Sequence, residues 1–215
     1  SLAGGMPYTT ALPLDAVGKL LSDLLATRGA AALQYGSGQG DPELRERICE
    51  VMELEGVIGS PDDVVVTVGS QQALDLVTRI FCDPGDVVLA EAPSYVGALG
   101  TFAAYQAEVV HVTMDEHGLV PEALREAIGR VGDRAKFLYT IPNFHNPAGV
   151  TLATERRAEI LDICIESDLL ILEDNPYGLL GFQTEPHRAM RADQADRVVY
   201  LGSFSKTFAP GLRVG

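Results

Sequence analysis

The stretch Ser203 to Gly215, SFSKTFAPGLRVG, gathers an amine, two hydroxyls and a guanidinium on Lys206, Ser203, Ser205 and Arg213. In the mouth of an anion-binding cleft, a lysine can form a Schiff base with a carbonyl. Ser203, Ser205 and Arg213 can clamp a dianionic phosphate, the arginine through its charge and fork geometry. A lysine after a strand is ordinarily solvated, so this reading depends on what else converges there.

Four other short stretches carry groups that fit. In VGSQQALDL, Gly69 lets the chain turn. Ser70 and Gln71 then open a helix whose free N–H groups and positive dipole end favour an anion. The plainer alternative is an N-cap serine. Tyr95 in EAPSYVG can stack on a planar ligand or simply pack. Asn146 in IPNFHNPAG can hold a carboxylate or a phenolic oxygen, or be an ordinary turn asparagine. In LEDNPYG, Asp174 ends an apolar run and Tyr177 follows. A carboxylate at a buried strand end is costly unless it meets a cation or a donor. Asp174 therefore either faces a cationic ring nitrogen or caps the next turn. A carbonyl, a phosphate, a protonated ring nitrogen and a phenolic oxygen together describe pyridoxal phosphate. The four histidines, His111, His117, His145 and His187, lack metal-ligand spacing. Only His145 lies near the proposed cleft, and it reads first as a loop residue.

These residues need a frame, and the sequence supplies a regular one. Val64 to Val68, Val87 to Glu91, Val109 to Val112, Phe137 to Ile141, Leu169 to Glu173 and Val198 to Leu201 are apolar runs rich in β-branched residues. Continuous apolarity predicts strands buried on both faces. Helical patterns alternate with them at Gln71 to Phe81, Pro121 to Arg130 and Thr154 to Ser167. Two earlier helices, about Leu14 to Thr27 and Pro42 to Glu55, flank the glycine-rich LQYGSGQGDPE. The pattern predicts a three-layer α/β/α fold around a mostly parallel sheet. Ligands of such sheets bind beyond the carboxyl ends of the strands, where each candidate residue falls.

Composition limits the alternatives. The formal charge of −14 disfavours a broad nucleic-acid or anionic-membrane surface. No apolar run is long enough to span a membrane. Cys49, Cys82 and Cys164 lie far apart without a CxxC, which argues against a disulfide framework or zinc site and fits a reducing cytoplasm. The N-terminus lacks both the features of a signal peptide and an initiator methionine, so the true start is expected upstream.

At this point the chain resembles the fold-type I pyridoxal phosphate enzymes, specifically the class I/II aminotransferases of the 2-aminoadipate/kynurenine type. The resemblance runs in order through SLAGGMP, LQYGSGQGDPELR, GSQQALDL, AEAPSY, PNFHNPAG, EDNPYG and SFSKTFAPGLRVG. It implies that Lys206 links the cofactor and shuttles the substrate proton, while Asp174 pairs with the pyridine nitrogen. Tyr177 and Asn146 would bond the phenolic oxygen, Asn146 would also touch the substrate carboxylate, and Tyr95 would stack on the ring. Ser70, Gln71, Ser203, Ser205 and Arg213 would hold the phosphate. Tyr35 would reach the phosphate in a partner subunit's site, since these enzymes are homodimers, and Gly5 would line the substrate pocket.

The resemblance further implies an N-terminal arm over residues 1–40 and an incomplete large cofactor-binding domain over residues 41–215. The small domain that carries the carboxylate-gripping arginine would be missing. The activity expected is ping-pong transfer of an amino group from an L-amino acid to a 2-oxoacid such as 2-oxoglutarate. Two alternatives remain. One is another reaction on the same site, such as a β-lyase or decarboxylase. The other is a MocR-type transcription regulator whose aminotransferase-like domain senses the cofactor.

Overall fold

A computed structural model describes residues 5–182 and 185–215. Its six described strands form one sheet in the order β3-β2-β1-β4-β5-β6. They are β1 (Val87–Ala92), β2 (Glu108–Asp115), β3 (Gly118–Leu119), β4 (Ala135–Thr140), β5 (Leu170–Asp174) and β6 (Val198–Leu201). All pairings are parallel except the short β3, which folds back on β2 through Met114↔Leu119. Around the sheet lie α1 (Leu14–Ala32), α2 (Pro42–Met52), α3 (Ser70–Phe81), α4 (Val96–Ala104), α5 (Pro121–Val131) and α6 (Thr154–Glu166).

The middle of each central strand is apolar because both faces are covered. Val87 and Leu89 of β1 point into a core shared with Leu124 of α5 and Ile160, Leu161 and Cys164 of α6. Their neighbours Val88 and Ala90 point the other way, onto Leu74 of α3 and Phe102 of α4. The three-layer, mostly parallel architecture expected from the sequence is thus the one observed.

Local differences have local causes. Helix α1 runs past Thr27 to Ala32 because the terminal alanines favour helix. Helix α4 escapes periodicity reasoning, since VGALGTFAA has no charged face and carries two glycines. The run Val64 to Val68 is not a strand. A strand needs a neighbour to ladder with, and here only isolated pairings form. Val66 N–H donates to Gln39 O at 2.8 Å, and Thr67 exchanges bonds with Gly215 at 2.7 and 3.2 Å. Behind that run, between α2, α3 and β6, lies a cavity of about 530 Å³ lined by Met52, Val65, Val77, Ile80 and Leu201. No described helix is long and apolar enough to cross a membrane.

Candidate active site

The parallel arrangement places Tyr95, Asn146, Asp174, Tyr177, Ser203, Ser205 and Lys206 at or just beyond the carboxyl ends of β1, β4, β5 and β6. The site begins at α3, whose N-cap is Gly69 rather than Ser70. Gly69 has φ 74° and ψ 165°, a region essentially reserved for glycine. Ser70 and Gln71 are the first helical residues, so their N–H groups lack intrahelical acceptors and present a positive end. The Gln71 amide points elsewhere. It donates to Thr101 Oγ1 at 2.8 Å and tethers α3 to α4, so toward an anion Gln71 can offer its backbone N–H. Arg213 lies against the same turn, with its guanidinium donating to Val68 O at 3.1 Å. A β-carbon on Gly69 would sit 2.7 Å from that guanidinium.

The loop after β6 completes this cluster. Ser203 Oγ donates to Ser205 Oγ at 2.9 Å and accepts from Ser205 N–H at 3.1 Å, which ties the loop into a tight turn. Lys206 Nζ donates to Gly5 O at 2.8 Å, so the N-terminal segment already meets the lysine. After β1, Tyr95 caps α4 and its ring lies over Gly97, where an added β-carbon would approach within 2.5 Å. After β4 comes the loop that carries Asn146, and burial pushes the Tyr177 phenol's pKa up, with Asn146 opposing that rise. Tyr35 is fully exposed and contributes nothing to the site of its own chain.

Asp174 ends β5 opposite Leu201 of β6, the strand that leads into the lysine loop. Its Oδ2 accepts from Tyr139 Oη at 2.7 Å. Its Oδ1 is buried and has no hydrogen-bond partner among the described residues. Burial pushes its carboxyl up to about 6, and the Tyr139 bond opposes that rise. The preceding Glu173 points to the opposite side and accepts the backbone N–H groups of Met190 and Arg191, both at 3.0 Å. Burial nevertheless lifts it to about 7.

Beneath these groups runs a buried polar scaffold that the sequence did not reveal. Glu55 accepts from Asn175 at 2.6 Å and Asn175 accepts from Asn143 at 3.0 Å. Asn143 in turn accepts from Arg157 of α6 at 2.7 Å. Glu91 takes Thr140 Oγ1 at 2.8 Å and Ile141 N–H at 2.9 Å, and stands 3.1 Å from His145 Nε2. His145 Nδ1 accepts from Ala148 N–H at 3.3 Å, which fixes the loop carrying Asn146. His145 is thus a buried loop anchor. The large apolar cavity behind Ser203 borders this scaffold, with Glu55, Asn175, Tyr200 and Arg191 among its lining residues.

The amino-acid sequence now places the chain in a family. Residues 3–215 match the family model for aminotransferase class I and II. The chain belongs to that family. It is 42% identical over its whole length to aromatic-amino-acid aminotransferase 1 of Thermococcus litoralis, covering 53% of that protein. Among solved structures it resembles the kynurenine aminotransferase of Pyrococcus horikoshii, crystallised with PMP, with a TM-score of 0.92 and 38% identity. That match covers 98% of this chain and 53% of the other. It is also 32% identical to the uncharacterized HTH-type transcriptional regulator YisV of Bacillus subtilis, over 95% of this chain and 42% of that one. The chain spans about half the length of the first two relatives.

Within this family, pyridoxal phosphate fits the donor set. The unpartnered Asp174 Oδ1 asks for a cationic N–H, and the α3 turn with Arg213 asks for an anion. Lys206 supplies an amine from the loop that follows β6, the strand paired with Asp174's own.

Proposed function

We propose that this chain is the cofactor-binding part of a pyridoxal phosphate-dependent aminotransferase. The observation that carries the reading is the buried, unpartnered Asp174 Oδ1 at the end of β5, next to the strand that leads into Lys206. Bound there, pyridoxal phosphate supplies a carbonyl that can accept an amino group and a protonated ring that draws electrons from the substrate α-carbon.

The chain's own residues then have distinct tasks. Lys206 holds the cofactor carbonyl and moves the proton at the substrate α-carbon. Asp174 keeps the ring nitrogen protonated. Tyr177 and Asn146 orient the phenolic oxygen, and Asn146 also meets the substrate carboxylate. Tyr95 covers the ring, held in place by its packing on Gly97. The phosphate rests on the N–H groups of Ser70 and Gln71, the hydroxyls of Ser203 and Ser205, and Arg213. Gly5 bounds the substrate pocket, as its contact with Lys206 supports.

In this reading an L-amino acid donates its amino group and a 2-oxoacid, 2-oxoglutarate among them, receives it in a ping-pong cycle. Residues 1–40 form an arm and residues 41–215 the large domain. Assembly is a homodimer in which Tyr35 reaches the partner subunit's phosphate. Helix α1 supports this, because it has no buried residue and exposes Leu20, Leu21, Leu24 and Leu25. Such an apolar face calls for a cover.

The test is Lys206→Ala in the full-length protein. It should abolish both amino-group transfer and the visible absorbance band of the bound cofactor. Transaminase activity surviving in that variant would overturn the reading. A second reading has one observation behind it, the match to an HTH-type regulator. There the same site would sense the cofactor for a DNA-binding domain. Cofactor-dependent DNA binding without oxoacid formation would select that function instead.

A further inference from the structure

Tyr139 sits in the middle of an apolar strand and reads as core, yet its hydroxyl has one described partner, Oδ2 of Asp174 at 2.7 Å. The residue is fully buried on β4, and its ring meets Phe102 edge-on at 5.4 Å and 73°. Packing therefore fixes the ring, and the fixed ring aims the hydroxyl. A phenol that donates to one carboxylate oxygen leaves the other to face the ligand and favours the ionised carboxylate over the neutral acid. Glu91, Tyr95 and Tyr177 are the other titratable groups around this pair.

We infer that Tyr139 is a positioning residue that sets the protonation of the cofactor ring through Asp174. The inference rests on the reading of the site as a pyridoxal phosphate site. With the Tyr139 bond in place, Asp174 stays ionised and the shared proton resides on the ring nitrogen. Without it, the carboxylate becomes more basic and draws that proton toward itself, leaving a less protonated, weaker electron sink. No bond to carbon forms or breaks in this step; one proton changes its position between nitrogen and oxygen.

Tyr139→Phe tests this, since it keeps the ring on Phe102 and removes only the hydroxyl. Two measurements on the full-length protein separate the outcomes. Carbon-13 NMR of the Asp174 carboxyl in cofactor-free protein should show its titration moving to higher pH in Tyr139→Phe. Nitrogen-15 NMR of ring-labelled pyridoxal phosphate should show the resonance moving toward its position in Asp174→Asn. Phe102→Leu, which loosens the packing that aims the hydroxyl but keeps the hydroxyl itself, should move the Asp174 titration in the same direction by less than Tyr139→Phe does. A ring-nitrogen resonance unchanged in Tyr139→Phe, in protein that binds the cofactor, overturns the inference and leaves the function intact. Native protein that binds no pyridoxal phosphate overturns both.

Discussion

Tyr200 Oη donates to Glu55 Oε2 at 2.6 Å, across 145 positions of sequence. The bond joins the last strand of the sheet to the segment that follows α2. The other oxygen of Glu55 takes Asn175, the residue next to Asp174. Burial raises the Glu55 pKa, and the bonds from Tyr200 and Asn175 oppose the rise. Glu55→Ala should therefore cost about 3 kcal/mol or more, because it strands two buried donors. Glu55→Gln should cost much less, since its amide can accept from Asn175 and donate to Tyr200 Oη. Thermal unfolding of the two variants checks this. Equal losses would mean that packing volume, not the polar bonds, matters there.

Gly69 gives a second prediction. Its backbone conformation excludes a β-carbon, and one placed there would crowd the Arg213 guanidinium. Gly69→Ala should destabilise the protein by about 1–3 kcal/mol and lower affinity for pyridoxal phosphate by roughly tenfold or more, as expected for a lost charge-assisted contact. Gly100→Ala is the contrast. Gly100 lies within α4 with open space around its β-position. There alanine should stabilise by about 0.5–1 kcal/mol, since helix interiors disfavour glycine, and leave cofactor affinity unchanged. Calorimetry and cofactor titration of both variants read the outcome. Equal cofactor affinity in the two would remove Gly69 from the phosphate site.

The frame was legible where each residue's role shows in its neighbours. Val87, Val88, Leu89 and Ala90 are all buried, and an unbroken apolar run announces that. Asp174 was legible as well, because a carboxylate closing such a run contradicts its surroundings. Tyr139 and Glu55 were not. A tyrosine inside FLYT looks like core, and one glutamate among the acids of α2 and its exit looks like surface. Their meaning lies in contacts with Asp174 and Tyr200, and nothing local encodes a partner so distant in sequence. Val64 to Val68 failed in the opposite sense. Its composition suits a strand, but strand formation is a property of a pair, and isolated bonds to Gln39 and Gly215 do not make a ladder.

Asp174 supplies the prediction with the clearest sign. Burial lifts its carboxyl from 3.8 to about 6 in the fold. Between those values the folded protein holds the proton more tightly than the unfolded chain. Stability conferred by this group is therefore complete below about pH 4 and is lost as pH rises through about 6. Asp174→Asn removes the charge while its carbonyl can still accept from Tyr139. Freed of cofactor, the variant should lack that loss and, at pH 8, exceed the native protein in stability by on the order of 3 kcal/mol. Adding pyridoxal phosphate should reverse the order, because a ligand stabilises only the state that binds it. Thermal unfolding from pH 4 to 8, with and without cofactor, tests both halves. A variant less stable at pH 8 without cofactor would show that the buried charge is compensated by the fold. Equal stabilisation of both proteins by the cofactor would show that Asp174 does not face the ring.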